Sequence, residues 1–368
     1  MKGPPLRSDP VLLAAGALCV LVLIRIYETS SAGSRTSSGA AFVDAVAKCT
    51  SFACLSAAHS VPHEGKFNFP HFFIIGTTSL HAYLEKHPQA LGSTPKETQF
   101  FGRNGKCWHA NNTLEPWGCG VEETADYIQN TMLRDDAVAS DLTQAAFESS
   151  TDYSWGDPVG PAVMATGIRR ELPWLKLILS LREPISHEIA GRVHTMEMLK
   201  TRPDWFRPGP ADECLMRLEQ GNATMYDCVR DLIKDKEGYI EAMAVWLATW
   251  PKEQFMIVQF ENLTGDASHT AVLNDVMRFV DIDPSKGPQE LPHANSRKGD
   301  VNPEGWKMKK AEFKELLSYA QPLSERIAAM LERYGFHKAD DWLAAWRASW
   351  KSNLDSCEAT GICNVVLT

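Results

Sequence analysis

The chain has 368 residues, with 37 Lys and Arg against 46 Asp and Glu, and 44% of its residues are apolar. That apolar share excludes a wholly disordered or collagen-like chain. The formal charge of −9 argues against a general nucleic-acid binder, which needs a basic surface. No C-x-x-C or H-E-x-x-H spacing occurs, so the sequence offers no recognisable zinc site.

An uncharged apolar run, VLLAAGALCVLVLI, occupies residues 11–24. It is shorter than the ~20 residues of a membrane-spanning helix, but residues 26 and 27 extend it if the long side chain of Arg25 reaches the headgroups. We interpret residues 11–27 as a signal anchor behind a cytosolic tail of residues 1–10. A signal peptide cut after Ala32 is the alternative. Both interpretations send the rest of the chain into the secretory lumen.

Apart from Cys19 in the apolar run, the eight cysteines follow one another as neighbouring couples. Pairing of neighbours closes the shortest loops, and the oxidising lumen would stabilise such bridges, although eight free thiols remain the alternative. The predicted bridges are Cys49–Cys54, Cys107–Cys119, Cys214–Cys228 and Cys357–Cys363. Three N-x-T sequons make Asn111, Asn222 and Asn262 candidate glycosylation sites in the same compartment.

Residues 28–65 are rich in Ser, Ala and Gly and predict a flexible stem, followed by a folded domain over residues 66–350 and a tail with a Cys pair over residues 351–368. Short apolar runs predict buried strands at 71–75, 98–101, 175–181 and 255–260. Helical spacing predicts helices at 77–87, 185–200, 238–250 and 267–280, and two or three more over 309–350, broken at Pro322 and Gly335.

Strands that alternate with helices predict an α/β fold with a mostly parallel sheet covered on both faces. Such sheets bind ligands beyond the carboxyl ends of their strands. Gly76, Glu97 and Arg182 each follow or neighbour a predicted strand, so we expect them near one rim of the sheet.

Several short motifs occur in a fixed order along the chain. Residues 74–80 read IIGTTSL, His87-Pro88 follows, and residues 96–101 read KETQFF. Further on come LREP at 181–184, then Gly238-Tyr239 with Trp246 and Trp250, and VQFENL at 258–263. Together they resemble a carbohydrate sulfotransferase, whose catalytic domain carries I-I-G-x-x-K-x-G-T-T-x-L, H-P, K-E-x-x-F-F, L-R-[DE]-P and G-x-Y…W-L…E-x-L in this order. Residues 181–198 are similar to the N-acetylgalactosamine 4-sulfate 6-O-sulfotransferase-like branch.

The resemblance implies a three-layer sandwich similar to P-loop nucleotide-binding folds. It implies transfer of a sulfuryl group from 3′-phosphoadenosine 5′-phosphosulfate to a hydroxyl of a glycan or polysaccharide, without a metal and without a nucleic-acid partner. The expected place is the Golgi membrane, with one membrane pass and a luminal catalytic domain, or secretion if the N-terminal segment is cleaved.

The same resemblance assigns roles to individual residues. Glu97 matches the carboxylate that takes the acceptor's hydroxyl proton, and Arg182 matches the ligand of the 3′-phosphate. The remaining donor-binding positions are Gly76, Thr77, Thr78, Ser79, Lys298 and Gly299. The structural alternatives are a solvated glutamate for Glu97, an ion pair for Arg182 and an ordinary exposed turn for Lys298-Gly299.

Two features depart from the family pattern. The loop after Ile75 is about five residues short and lacks the phosphate-binding Lys. The Arg and Ser that follow L-R-E-P in the family fall on His187 and Ala190. Three explanations fit the short loop: a working enzyme with substitute groups, a non-catalytic glycan-binding protein on the same scaffold, or a missing coding segment. A P-loop kinase is a weaker option, because no G-K-[ST] occurs.

Overall fold

The computed structural model describes residues 48–59, 68–75, 78–102, 119–133, 145–154, 159–205, 209–265, 268–288, 305–357 and 361–367. Among the residues so described, a parallel sheet of five strands forms the centre of the domain, in the order β2-β3-β1-β4-β5. The strands are β1 (Asn68–Ile75), β2 (Ala90–Gly92), β3 (Ala145–Glu148), β4 (Lys176–Leu181) and β5 (Phe255–Gln259). The chain leaves β1 toward one edge and returns past it to β4, which makes β1 the strand around which the topology reverses.

Helices surround this sheet. In chain order the described α-helices are α1 (Phe52–His59), α2 (Thr78–Leu84), α3 (Val121–Asp126), α4 (Pro161–Glu171), α5 (Pro184–Thr201), α6 (Pro210–Glu219), α7 (Met225–Lys234), α8 (Glu237–Thr249), α9 (Phe260–Thr264), α10 (His269–Phe279), α11 (Lys310–Arg333) and α12 (Ala339–Asp355). A π-helix (Tyr127–Leu133) continues α3, and single 3-10 turns occupy Thr151–Ser154, Pro203–Trp205, Lys252–Gln254 and Pro284–Lys286.

The central strands are buried on both faces, because successive side chains alternate between two cores. Phe73, Leu177 and Leu179 lie in the larger core, which includes residues from α4, α5, α8, α11 and α12. Phe72 and Ile178 lie in the smaller core, with apolar residues of α2 and α10. The layers are therefore helix, sheet and helix, and the predicted three-layer α/β architecture with a mostly parallel sheet is confirmed.

A second, two-stranded antiparallel sheet joins β6 (Trp306–Lys309) to β7 (Ile362–Val365) beside the C-terminal helices. Disulfide bridges link Cys49–Cys54, Cys214–Cys228 and Cys357–Cys363, and Cys119 is also disulfide-bonded. The last of the three bridges fixes β7 to the end of α12. Cys107 lies outside the described residues.

The prediction of a strand at residues 98–101 is wrong. The chain turns there instead: Gln99 has a left-handed backbone (φ 50°), and the amide of Gly102 donates to the carbonyl of Gln99 at 3.0 Å. The place of that strand in the sheet is taken by the short strands β2 and β3, which no pattern in the sequence predicted. Phe100 and Phe101, which suggested a strand, are buried in the larger core from this turn.

The helix break expected at Pro322 is also wrong, since α11 runs through it from Lys310 to Arg333. A proline inside a helix costs about 3 kcal/mol. Here the proline is exposed, while Phe313, Leu316 and Leu331 on the opposite side are fully buried or nearly so. Packing of that apolar stripe outweighs the lost hydrogen bond. The break at Gly335 occurs as predicted, with a left-handed φ of 76° that favours glycine.

In the part of the chain described above, no helix combines the length and apolar composition that a membrane span requires. The apolar run at residues 11–24, and with it the proposed anchor and most of the stem, lies outside the described residues.

Candidate functional site

The segment that carries Glu97 crosses the carboxyl end of β3. Two backbone hydrogen bonds fix it there, from Ser93 to Phe147 (2.8 Å) and from Ser149 to Lys96 (3.1 Å). The Ser93 hydroxyl also donates to the carbonyl of Lys96 at 3.1 Å. Since β3 lies directly beside β1, these bonds hold Lys96 and Glu97 at the rim next to the end of β1.

At that rim Lys96 Nζ lies 2.5 Å from Glu97 Oε1, and the two side chains are 26% and 34% exposed. The pair is open enough for a substrate to reach it. A partly exposed carboxylate beside an ammonium combines a proton acceptor with a positive charge, which is the combination that transfer of an anionic group to a hydroxyl requires.

Beneath this pair lies Glu148, a fully buried residue at the end of β3. The hydroxyl of Thr98 donates to its Oε2, and the hydroxyl of Tyr127 donates to the same oxygen at 3.1 Å. Burial raises the pKa of Glu148 to about 7, against the lowering effect of its hydrogen bonds with Thr98 and Tyr153. Thr98, the residue that follows Glu97, is thus hydrogen-bonded to a buried acid.

On the other side of β1, Arg182 follows the carboxyl end of β4. Its guanidinium carbon lies 4.5 Å from the centre of the Phe260 ring, a cation–π contact. Burial lowers the pKa of Arg182, opposed by the charges of Glu183 and Glu261. Its Nε is buried and has no hydrogen-bond partner among the described residues. Such a donor is suited to an anion that is absent from the protein itself.

A network of carboxylates and indoles holds the backbone around Arg182. Glu183 caps α5 by accepting from the amides of Ile185 (2.9 Å) and Ser186 (2.5 Å), and from Trp350 Nε1 (2.8 Å). Glu261 accepts from the Glu183 amide at 2.8 Å and from Trp346 Nε1 at 3.0 Å. Both carboxylates are therefore engaged by N–H donors, and β4, α5, α9 and α12 are tied together at this point.

His187, at the position where the family pattern has Arg, lies one turn into α5. Its Nδ1 is 3.0 Å from Lys236 Nζ, and Lys236 Nζ is 2.5 Å from Glu188 Oε1. Burial and the positive charge of Lys236 lower the pKa of His187. For Glu188, burial acts to raise the pKa, but hydrogen bonds and charges from His187 and Lys236 bring it down to about 2.

Similarity to known proteins relates the chain to sulfotransferases. It is 24% identical to carbohydrate sulfotransferase 15 of Mus musculus over 328 aligned residues, which take in 76% of this chain and 55% of that relative. This chain therefore spans about half the length of the curated relative it matches. A sulfotransferase crystal structure from Alicyclobacillus acidocaldarius is similar with a TM-score of 0.42 and 20% identity, covering 74% of this chain and 98% of that one. No protein-family model matches the chain.

The resemblance to carbohydrate sulfotransferases is confirmed. Of the site residues expected from it, the structure brings Glu97 and Arg182 to the same rim of the sheet, on opposite sides of β1. Thr78 and Ser79 open α2 directly after β1. Gly76, Thr77, Lys298 and Gly299 lie outside the described residues, as does the glycosylation candidate Asn111.

Three residues of this site were given no role from the sequence: Glu148, Glu261 and Lys236. Glu261 lies in the segment VQFENL at 258–263, so a motif marked it. Glu148 had a weak signal, because the apolar run AAF at 145–147 ends in Glu and two serines and would have suited a short strand with a polar end. Lys236 had none, since nothing in its neighbourhood along the chain indicates contact with α5. His81 on α2 is buried with its Nδ1 2.7 Å from Ser149 Oγ, so it supports the end of β3.

Proposed function

We propose that this protein transfers a sulfuryl group from 3′-phosphoadenosine 5′-phosphosulfate to a hydroxyl of a glycan or polysaccharide. The observation that carries the proposal is the placement of a partly exposed carboxylate, Glu97, and an arginine with a buried Nε, Arg182, on either side of the strand around which the sheet reverses. Ligands of open α/β sheets bind at this point. The printed name of the mouse relative supports the carbohydrate acceptor.

The donor, when bound, supplies the sulfuryl group and departs as adenosine 3′,5′-bisphosphate. In the proposed reaction Glu97 accepts the proton of the acceptor hydroxyl as its oxygen forms the bond to sulfur. Arg182 binds the 3′-phosphate through its unpartnered Nε–H. Residues 76–79 are the positions to which the resemblance assigns the phosphosulfate. Lys96 contributes a positive charge beside the base.

The acid Glu148 keeps the base in place without taking part in proton transfer, because it is fully buried. Its contact with Thr98 restrains the backbone directly after Glu97. Catalysis of group transfer depends largely on such positioning, since a carboxylate must lie within hydrogen-bond reach of the hydroxyl it deprotonates.

Sulfate transfer from labelled donor to desulfated and chondroitin-like glycans tests the proposal on the purified full chain. We expect transfer by the native protein, and a loss of at least about a hundredfold in turnover for Glu97→Gln with donor binding retained. Glu253 is exposed at the opposite end of the sheet, so Glu253→Gln is the matched control. This variant should transfer sulfate at the native rate. If the native protein transfers nothing and does not bind adenosine 3′,5′-bisphosphate at millimolar concentration, the proposal is wrong.

We also propose that the domain works in the secretory lumen, at the Golgi membrane, attached by residues 11–27. The disulfide bridges support an oxidising compartment, because cytosolic thiols are kept reduced. Protease protection of the tagged chain in intact membranes tests both statements. Full digestion of the folded domain without detergent would contradict them.

A further inference from the structure

A pocket beside Arg182 is lined by three basic side chains from different elements. Arg182 comes from the end of β4, His187 from α5 and Lys236 from the N-terminal end of α8, with Tyr239 and Trp346 as apolar walls. The charge of Arg182 is near enough to act on His187. The pocket therefore brings N–H donors from three elements together, an arrangement that suits a phosphate oxygen.

Lys236 is held in this pocket before any ligand arrives. Its side chain is only 9% exposed, its Nζ is fixed by Glu188 Oε1 and His187 Nδ1, and the ammonium lies 5.2 Å from the Tyr239 ring centre. An ammonium has three hydrogens to donate and no acceptor site. Among the described residues it has these two hydrogen-bond acceptors, so one N–H remains for a ligand.

The contact with Lys236 also determines the tautomer of His187. Nδ1 lies 3.0 Å from the Lys236 ammonium, which can only donate, and 3.4 Å from Glu188 Oε1, which can only accept. The shorter contact favours Nδ1 as the acceptor, with the ring proton on Nε2. The protein packed around the ring and the charge of Lys236 lower the pKa of His187, which keeps the ring neutral. The part of the side chain away from these contacts is open, since 46% of it is exposed, so a ligand can reach Nε2–H.

The carboxylates around the pocket balance its positive charge, so a ligand there is held by N–H donors. Glu183 and Glu261 accept hydrogen bonds from backbone amides and the indoles of α12. Glu188 faces Lys236, and the charges of Glu183 and Glu261 act on Arg182, which leaves the Nε–H of Arg182 and two further N–H donors for an anion.

We propose that Lys236, together with His187, completes the binding site for the 3′-phosphate of the nucleotide. The family pattern has an Arg and a Ser for this purpose, and this chain has His187 and Ala190 at those two positions. The inference rests on the proposed function and names the groups that make it workable in this chain. The ligand class is a phosphate monoester on ribose. Arg182 and Lys236 supply charged N–H donors, and His187 supplies a neutral donor.

Calorimetric titration of the full chain with adenosine 3′,5′-bisphosphate and with adenosine 5′-monophosphate tests the inference. We expect Lys236→Met to weaken binding of the bisphosphate by about tenfold to a hundredfold, the usual effect of losing one charge-assisted hydrogen bond. The affinity for the monophosphate should stay within about twofold of the native value. Lys236→Arg should restore most of the affinity. Lys234→Met, at an exposed position of α7, is the matched control and should bind like the native chain.

Two further variants cover the case in which Lys236→Met fails to fold because Glu188 is left unpaired. The double variant Glu188→Gln, Lys236→Met removes both charges, and His187→Gln changes a half-exposed side chain; both should weaken the bisphosphate selectively. Native-like bisphosphate affinity in any folded variant that lacks Lys236 overturns the inference while the proposed function stands. A native chain that does not prefer the bisphosphate over the monophosphate overturns the proposed function itself.

Discussion

The hydroxyl of Thr98 donates a hydrogen bond to the buried carboxyl group of Glu148, and this bond connects the segment of the proposed base to the end of β3. Tyr127 donates to the same oxygen at 3.1 Å from the π-helix. The Phe101 amide donates to the Tyr153 hydroxyl at 3.2 Å, so the segment is fixed again three residues later. Lys96 and Glu97 are thus partly exposed residues on a rigidly attached loop.

The pH dependence of stability should reveal the buried acid Glu148. Its pKa is about 7 in the folded protein against 4.5 for an ordinary glutamate, so the folded state binds more protons between these values. This contribution is fully present below about pH 4.5 and is lost as the pH rises through 7. We expect the free energy of unfolding to fall by roughly 3 kcal/mol across that window.

Glu148→Gln should remove this dependence, because the amide resembles the protonated acid at every pH. Urea unfolding of both proteins at pH 5 and pH 8 measures the effect. Glu97→Gln serves as the control, with a pH dependence like that of the native chain. Parallel curves for the native protein and Glu148→Gln would contradict a raised pKa at this site.

Thr98→Val should reduce turnover without weakening donor binding. The substitution keeps the shape of the side chain and removes the hydroxyl that donates to Glu148, so the base is held less firmly. We expect kcat to fall about tenfold with the donor KM unchanged, since a misplaced base affects the transition state and not the ground state. Thr98→Ser retains the hydroxyl and should stay within about threefold of the native protein. An equal loss in both variants would exclude the hydroxyl as the cause.

The layout of the fold was predictable because three of the five strands in its main sheet are short apolar runs bounded by turn residues. Residues 71–75, 175–181 and 255–260 were all recognised in this way, and β1, β4 and β5 occupy them. The short strands β2 and β3 were not, because three or four residues give no period to detect. Residues 98–101 were instead predicted to form a strand, and the two phenylalanines there are buried from a turn.

The site was predictable only where a motif marked it. Glu97 and Arg182 were found through the family resemblance, and both lie at the rim. Lys236 and Glu261 reach the site from elements that follow it by some 50 to 80 residues, as their contacts with His187 and Glu183 show. Only the packing of α8 and α9 against the end of β4 brings them there, and no local pattern encodes that packing.

Trp350→Phe should destabilise the protein and weaken donor binding together. The indole Nε1 donates to Glu183 Oε2 at 2.8 Å, and without it a buried carboxylate loses one of its three donors. The expected cost is about 1–3 kcal/mol. Because Glu183 directly follows Arg182, the affinity for adenosine 3′,5′-bisphosphate should also decrease.

Trp342 on the same helix provides a matched control. It is buried to the same extent, 3% exposed, but its Nε1 has no hydrogen-bond partner among the described residues. Trp342→Phe therefore loses similar apolar area without breaking a hydrogen bond. Equal losses of stability and of nucleotide affinity for the two variants would show that packing, and not the bond to Glu183, is responsible.

Removal of the Cys214–Cys228 bridge should destabilise the region around α6 and α7. The two cysteines are 14 residues apart, and closing a loop of that length restricts the unfolded chain by about 3 kcal/mol in the chain-entropy description. The double variant Cys214→Ala, Cys228→Ala should lower the free energy of unfolding by this order. For the shorter Cys357–Cys363 loop, with 6 residues of separation, the same description gives about 2 kcal/mol. Urea unfolding of the two double variants beside the native protein measures both values. A larger loss for the Cys357–Cys363 variant would show that contacts of its buried sulfurs, at 1% and 0% exposure, outweigh the loop entropy.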